Sequence, residues 1–242
     1  YFLYGEINEK SKKHVGSLDV DLALNFILIP EQDYQTIADI LEERGYVNRK
    51  NRRGNIINAS YERTFTDENN REHTVQVDFL ASEYGGSSKN KRHQRIQEIL
   101  ARKGRGVDLV FENCVEREIE ARMPNRAINK VKIKVADLCA IMVMKGFALQ
   151  ERGSEKDAYD IYWLIKNHPQ SETGVIQELQ NMKSNKLVSE ALFYVRDTFE
   201  KVESIGPVAV ANFLEPVSEE EREILTRDAF ETVNRVMKML EI

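Results

Sequence analysis

The stretch Gly16-Ser17-Leu18-Asp19-Val20-Asp21-Leu22 sets two carboxylates two residues apart inside an apolar run. On a strand, side chains at i and i+2 point to one face, so Asp19 and Asp21 are expected to act as a pair. A third acid, Asp78, lies in a later β-like run, Thr74-Val75-Gln76-Val77-Asp78-Phe79-Leu80. Burying carboxylates among Val, Leu, Ala and Phe is costly unless something cationic meets them. A hard divalent ion, Mg²⁺ or Mn²⁺, answers that need, because such an ion takes carboxylate oxygens together with substrate phosphate. Asp19, Asp21 and Asp78 are therefore the candidate metal ligands. The plain alternative is a strand with one solvated acidic face.

Composition sets the frame around these acids. A chain of 242 residues has material for one large domain or two small ones. Its 41% hydrophobic and 31% charged residues describe an ordinary globular protein. No apolar run approaches the length of a membrane span. No secretory leader is visible, although the sequence opens at Tyr1 rather than Met. Two cysteines, Cys114 and Cys139, suit packed thiols in a reducing cytoplasm, the expected location. His14, His73, His93 and His168 have no metal-ligand spacing, so zinc is not expected.

A net charge of −5 argues against indiscriminate coating of nucleic acid. The basic residues are nonetheless clustered. Arg44, Arg49, Lys50, Arg52 and Arg53 form one run; Lys89, Lys91, Arg92, Arg95, Arg102, Lys103 and Arg105 form another, opposed within it by Glu98. Such runs suit a phosphate-bearing partner, and equally suit solvated loops.

The pattern along the chain predicts an α+β protein. A strand is expected near 18–29, closed by Pro30, then a helix over 31–44 stopped by Gly45. Strands near 56–65 and 73–80 flank a turn at 66–71, and a polar basic loop opens at Gly85-Gly86-Ser87-Ser88. Short strands are expected near 107–111, 117–121 and 131–133. From about Val135 the spacing turns helical, with helices near 138–153, 154–168, 174–182, 187–202 and 218–240. The domain boundary is placed accordingly, with an α/β domain over 1–134 and a helical domain over 135–242.

Two residues stand out in the helical half. Lys145 interrupts an apolar face containing Ile141 and Met142. Asp157 fits the capping-box position after Ser154, but capping does not explain Asp160, which lies about 60° around the helix from it. Lys145 is expected either to snorkel to water or to meet such an acid, as a buried pair or as the second wall of a polar site.

These pieces resemble a known family. Gly-Ser-x-Asp-x-Asp-Leu, the strand ending Val77-Asp78-Phe79-Leu80, Met144-Lys145-Gly146-Phe147-Ala148-Leu149, and Arg152-Gly153-Ser154-Glu155-Lys156-Asp157-Ala158-Tyr159-Asp160-Ile161-Tyr162 together resemble the AbiEii-type nucleotidyltransferases. Those proteins are toxins of type IV toxin–antitoxin and abortive-infection systems, within the polymerase-β-like superfamily. The resemblance spans Gly16 to Leu164. It implies a polymerase-β-like nucleotidyltransferase domain with a mixed sheet, followed by a helical half. The family places a Gly/Ser phosphate-binding turn well before the acid pair. Gly16-Ser17 is too near Asp19 to be that turn, which is expected before Tyr1.

The activity implied is transfer of a nucleotide from an NTP to an acceptor hydroxyl, with Mg²⁺ or Mn²⁺ on Asp19, Asp21 and Asp78. Catalytic roles extend to Lys145 and Asp160. Gly16, Ser17, Arg152, Lys156 and Asp157 are expected around the nucleotide. The implied acceptor is RNA, such as tRNA, lying on the runs Arg49–Arg53 and Lys89–Arg105, and a cognate antitoxin is the expected protein partner. Two rivals share the fold: a degenerate protein that binds nucleotide without turnover, and an enzyme that modifies a small antibiotic, whose cationic acceptor calls for an acidic cleft.

Overall fold

A computed structural model describes residues 19–29, 36–66, 70–84, 92–122 and 126–242. The described residues separate by their contacts into two units. One holds 19–111 with 118–131; the other holds 112–117 with 132–242.

In the first unit, six strands make one mixed sheet: β1 (Asp19–Ala23), β2 (Val47–Lys50), β3 (Ile56–Thr66), β4 (Glu72–Ser82), β5 (His93–Ile96) and β6 (Ile99–Gly104). β4 is the hub, parallel to β1 and β6 and antiparallel to β3. Alternation along β4 explains its two faces. Val77, Phe79 and Ala81 are buried with Ala59, Ile96, Ile99 and Ala101, while Gln76, Asp78 and Leu80 point the other way. Tyr61 meets Phe79 edge-on, with ring centroids 5.7 Å apart.

Helix α1 (Ile37–Glu43) closes this core with Ile37 and Leu41. Thr36 and Asp39 cap it reciprocally. The stop is at Gly45, whose φ of +74° is one that glycine takes without strain. Residues 31–35 of the expected helix lie outside the described residues, as do Gly16, Ser17, Gly85–Ser88, Lys89 and Lys91.

Three expectations are corrected here. The first strand ends at Ala23, not near Ile29, and Phe26–Leu28 form a turn. Residues 93–104 are a hairpin rather than a loop: Ile96 pairs with Ile99 across Gln97-Glu98, with Gln97 left-handed at φ 51°. Residues 107–111 lie in a helix, α2 (Val107–Glu112), which buries Val107 and Leu109. Within the first basic run, Arg49 and Lys50 belong to a strand, β2. Arg52 and Arg53 ride the turn that follows, closed by Asn51 Oδ1 accepting from the backbone of Arg53 and Asn55.

A separate hairpin, β7 (Cys114–Arg122) with β8 (Ile128–Ala136), carries cross-strand ion pairs of Lys130 with Glu120 and Lys132 with Glu116. It contributes residues to both units.

The second unit is helical: α3 (Leu138–Arg152), α4 (Glu155–Lys166), α5 (Ser171–Met182), α6 (Lys186–Thr198), α7 (Ile205–Leu214) and α8 (Glu219–Met239). The α3, α4, α5 and α8 expectations hold to within a few residues. The single helix expected over 187–202 ends at Thr198, and α7 follows it. Pro207 stands in the first turn of α7, where a missing N–H costs nothing, so it admits rather than breaks the helix. Asp137 caps α3, accepting from the Ala140 backbone at 2.9 Å. Next to it Cys139 is buried, which pushes its thiol up to about 12, so it is a neutral packing group. Neither cysteine is in a disulfide.

Candidate functional site

The pairing registers assemble the acids. Asp21 lies beside Asp78 in the parallel β1–β4 pair, and Ser60 lies beside Asp78 on its other side, in the antiparallel β3–β4 pair. Paired residues share a face, so Asp21, Asp78 and Ser60 form one row across the sheet. Two residues back is a second row on the same face, Asp19, Gln76 and Glu62. The two rows therefore hold the three expected acids and add a fourth carboxylate.

Burial in these rows corrects the starting premise. Asp19 and Asp21 are exposed, and only Asp78 is half-buried. Of the three acids, only Asp78 bears a desolvation cost. Gln76 Nε2 donates to Asp78 Oδ2 at 3.0 Å, fixing that carboxylate. The other oxygen of Asp78, Oδ1, is buried with no hydrogen-bond partner among the described residues, and so is the hydroxyl of Ser60, a residue 4% exposed. Each unsatisfied buried polar group costs about 1–3 kcal/mol, which a ligand at the row can offset.

These donors fit a hard cation: they are oxygens only, one is buried and unpartnered, and two more are open to water. Among the described residues no three His, Cys, Asp or Glu side chains are gathered into a ready-made metal cage. Magnesium does not require one, since it retains waters and takes phosphate oxygens from substrate.

The second group of expected residues forms a charge network inside the helical unit. Lys145 Nζ lies 2.9 Å from Asp157 Oδ1 and 2.5 Å from Asp160 Oδ2. Arg152 holds the other side of Asp157, with Nε 2.7 Å from Oδ2. The Asp157 side chain is 1% exposed and that of Asp160 12%, against 26% for Lys145 and 55% for Arg152. Burial alone would push Asp157 up, but the Arg152 hydrogen bond and the Lys145 charge outweigh it and hold it below its usual value. Burial would likewise lower Lys145, yet Asp160 and Asp157 raise it.

The capping role expected for Asp157 is therefore corrected. Ser154 is the N-cap residue of α4 but makes no side-chain cap bond, and the Asp157 carboxylate turns to Lys145 and Arg152 instead. The buried-pair reading of Lys145 is the one observed. Lys156 follows in the first turn of α4.

The basic residues divide by position. Lys50, Arg52, Arg53, Arg92, Arg95 and Arg102 are exposed, whereas Arg49, Lys103 and Arg105 are half-buried. Arg105 is opposed by Glu83 at 3.5 Å, an acid outside the run.

Sequence reasoning missed Ser60, Gln76 and Glu62. Alternation along 56–66 could have put Ser60 and Glu62 on one face. It could not show that this strand lies beside Asp78.

An α+β chain whose mixed sheet sets Asp19, Asp21 and Asp78 on one face is compatible with a nucleotidyltransferase domain. The family model described as nucleotidyl transferase AbiEii toxin, type IV TA system, matches residues 13–236. The chain belongs to that family, a nucleotidyltransferase family of toxin–antitoxin systems, and membership implies a cognate antitoxin as partner. No curated protein and no solved structure matches the chain. Among the described residues, no helix is long and apolar enough to cross a membrane.

Proposed function

We propose that the protein transfers a nucleoside monophosphate from an NTP to a hydroxyl of RNA, using the acids on β1 and β4 and a bound divalent ion, Mg²⁺ or Mn²⁺. The observation that carries this reading is the Asp21–Asp78–Ser60 row, with its unpartnered carboxylate oxygen, in a chain of a nucleotidyltransferase family.

Asp19, Asp21 and Asp78 would hold the metal, which when bound supplies positive charge to the attacking and leaving oxygens. The acceptor oxygen forms a bond to the α-phosphorus while the bond from that phosphorus to the bridging oxygen of the β-phosphate breaks. Pyrophosphate leaves with that electron pair. Asp78, fixed by Gln76, is the carboxylate assigned to take the hydroxyl proton. Within the helical unit, Lys145, Asp157 and Asp160 are assigned as a polar group of that unit, with Arg152 and Lys156 as its cations able to meet phosphate. Gly16 and Ser17 precede the acid pair and are assigned to the nucleotide as well. The basic run Arg49–Arg53 and the run Lys89–Arg105 are assigned to the RNA backbone, as in polyanion binding generally.

Incubation with each α-³²P-labelled NTP, Mg²⁺ and an RNA pool tests the reaction. Label on RNA with one or more NTPs is expected. Label transferred instead to a cationic antibiotic would point to a small-molecule enzyme, and nucleotide binding without label to a degenerate one. For the acceptor, replacing Arg49, Lys50, Arg52 and Arg53 together by Gln should weaken RNA binding and flatten its salt dependence, with NTP affinity retained. An unchanged salt slope would return these four to ordinary surface residues.

A further inference from the structure

The sheet face that carries the acids changes sign where it reaches β6 and β5. Leu80, two residues beyond Asp78 on β4, pairs with Ala23 of β1 and with Arg102 of β6, and Arg102 pairs with His93 of β5. Burial fixes the sides. Ile99 and Ala101 are fully buried in the core, so Arg102, next along β6, points away from it and is exposed. Gln94 and Ile96 are buried on β5, which turns His93 and Arg95 to the same side as Arg102.

Arg102 thus stands one row from Asp78 on the same face. That offset is roughly 7 Å along the strand, which an extended arginine side chain spans. The acid row bears its own sign of a ligand, independent of its charge. Ser60, more than nine-tenths buried, has a hydroxyl with no hydrogen-bond partner among the described residues, and the same holds for the carboxylate oxygen Asp78 Oδ1 in the same row.

We propose that Arg102 is a phosphate-binding residue of the nucleotide site, and that the triphosphate lies along the sheet face from the Asp21–Asp78–Ser60 row toward β6. A guanidinium suits phosphate because it stays charged and its planar fork takes two oxygens at once. The acids bind what neutralises them, and Arg102 binds the anionic end of the same ligand. This assignment rests on reading the acid row as the transfer centre. It removes Arg102 from the surface offered to RNA.

The test uses the full chain with Arg102→Gln and Arg102→Lys, and reads NTP kinetics together with equilibrium binding of Mg²⁺-tripolyphosphate, a probe without base or sugar. Arg102→Gln should raise the KM for NTP roughly tenfold or more, as loss of a charge-assisted phosphate contact does, with kcat within a few-fold. Tripolyphosphate affinity should fall by a similar factor, and Arg102→Lys should recover part of it. RNA binding, its salt dependence and the urea midpoint should not move, because Arg102 is exposed and outside the core. Unchanged KM and unchanged tripolyphosphate affinity in an active protein would overturn this assignment alone. Loss of RNA binding with NTP binding intact would overturn it too, in favour of an RNA contact. A wild-type protein that neither binds nor transfers any NTP would remove the proposed function and this inference together.

Discussion

Lys145→Met is expected to lower the unfolding free energy by about 3 kcal/mol, read as a shift of the urea midpoint at unchanged slope. Lys145 bridges Asp157 and Asp160, carboxylates that are 1% and 12% exposed. Removing one partner of a buried pair strands the other and costs roughly 3–5 kcal/mol. The low end applies because Arg152 still holds Asp157 and the Lys145 side chain is itself a quarter exposed. Methionine keeps the unbranched apolar stem, so lost packing contributes little.

The pH dependence of that difference follows from the two shifts. Asp157 is held below its usual 3.8, so its stabilisation is present above that pH and fades as pH falls through the lower folded value. Lys145 is raised above its usual 10.5, so its stabilisation is complete below that pH and fades as pH rises through the higher folded value. The gap between wild type and variant should be flat across neutral pH and close only at the two extremes. A cost under about 1 kcal/mol at pH 7 would mean that the lysine serves solvent or ligand rather than the scaffold.

Gly146→Val should be nearly as severe. Gly146 sits one residue from Lys145 on α3, facing α6, and a Cβ added there would lie 2.8 Å from the carbonyl oxygen of Ala191. That atom is backbone in a packed helix and cannot swing aside. The helices must part, with a penalty of about 1–3 kcal/mol for overpacking, to which the branched side chain adds strain. Thermal melting decides it. A wild-type melting temperature would show that α3 and α6 can separate freely, contrary to the close approach of Gly146 to Ala191 and the ring contact of Phe147 with Tyr194.

How far the sequence foretold this structure depended on whether the deciding contacts were local. Leu138–Arg152 was legible because its apolar spacing and Gly153 stop lie within or beside the segment. Residues 93–104 were not, because their basic side chains mask a hairpin whose inward positions, Gln94, Ile96, Ile99 and Ala101, include a polar residue and an alanine. Residues 107–111 read as a strand from their Val and Phe, and the buried residues of α2, Val107 and Leu109, keep the i, i+2 spacing that a strand would also show.

The same division holds at the site. Asp19, Asp21 and Asp78 were visible as acids in apolar runs. The strand that brings Ser60 and Glu62 beside them is set by register over residues 60–78, and no short window of sequence contains it. Asp157 shows the opposite error: a local rule predicted a cap, and a tertiary pair with Lys145 took the side chain instead.

The most direct test of the central claim, that the acid row on β1 and β4 is the nucleotidyl-transfer centre, is the initial rate of α-³²P-NTP incorporation into RNA by wild type and Asp21→Asn, each with its thermal melt. Asp21 is exposed on β1, so removing its charge leaves the core untouched. The expected result is an unchanged melt and a rate at least about 10²-fold lower, the scale of losing one preorganised charge at a reacting centre. Label incorporated by Asp21→Asn at the wild-type rate would contradict the account.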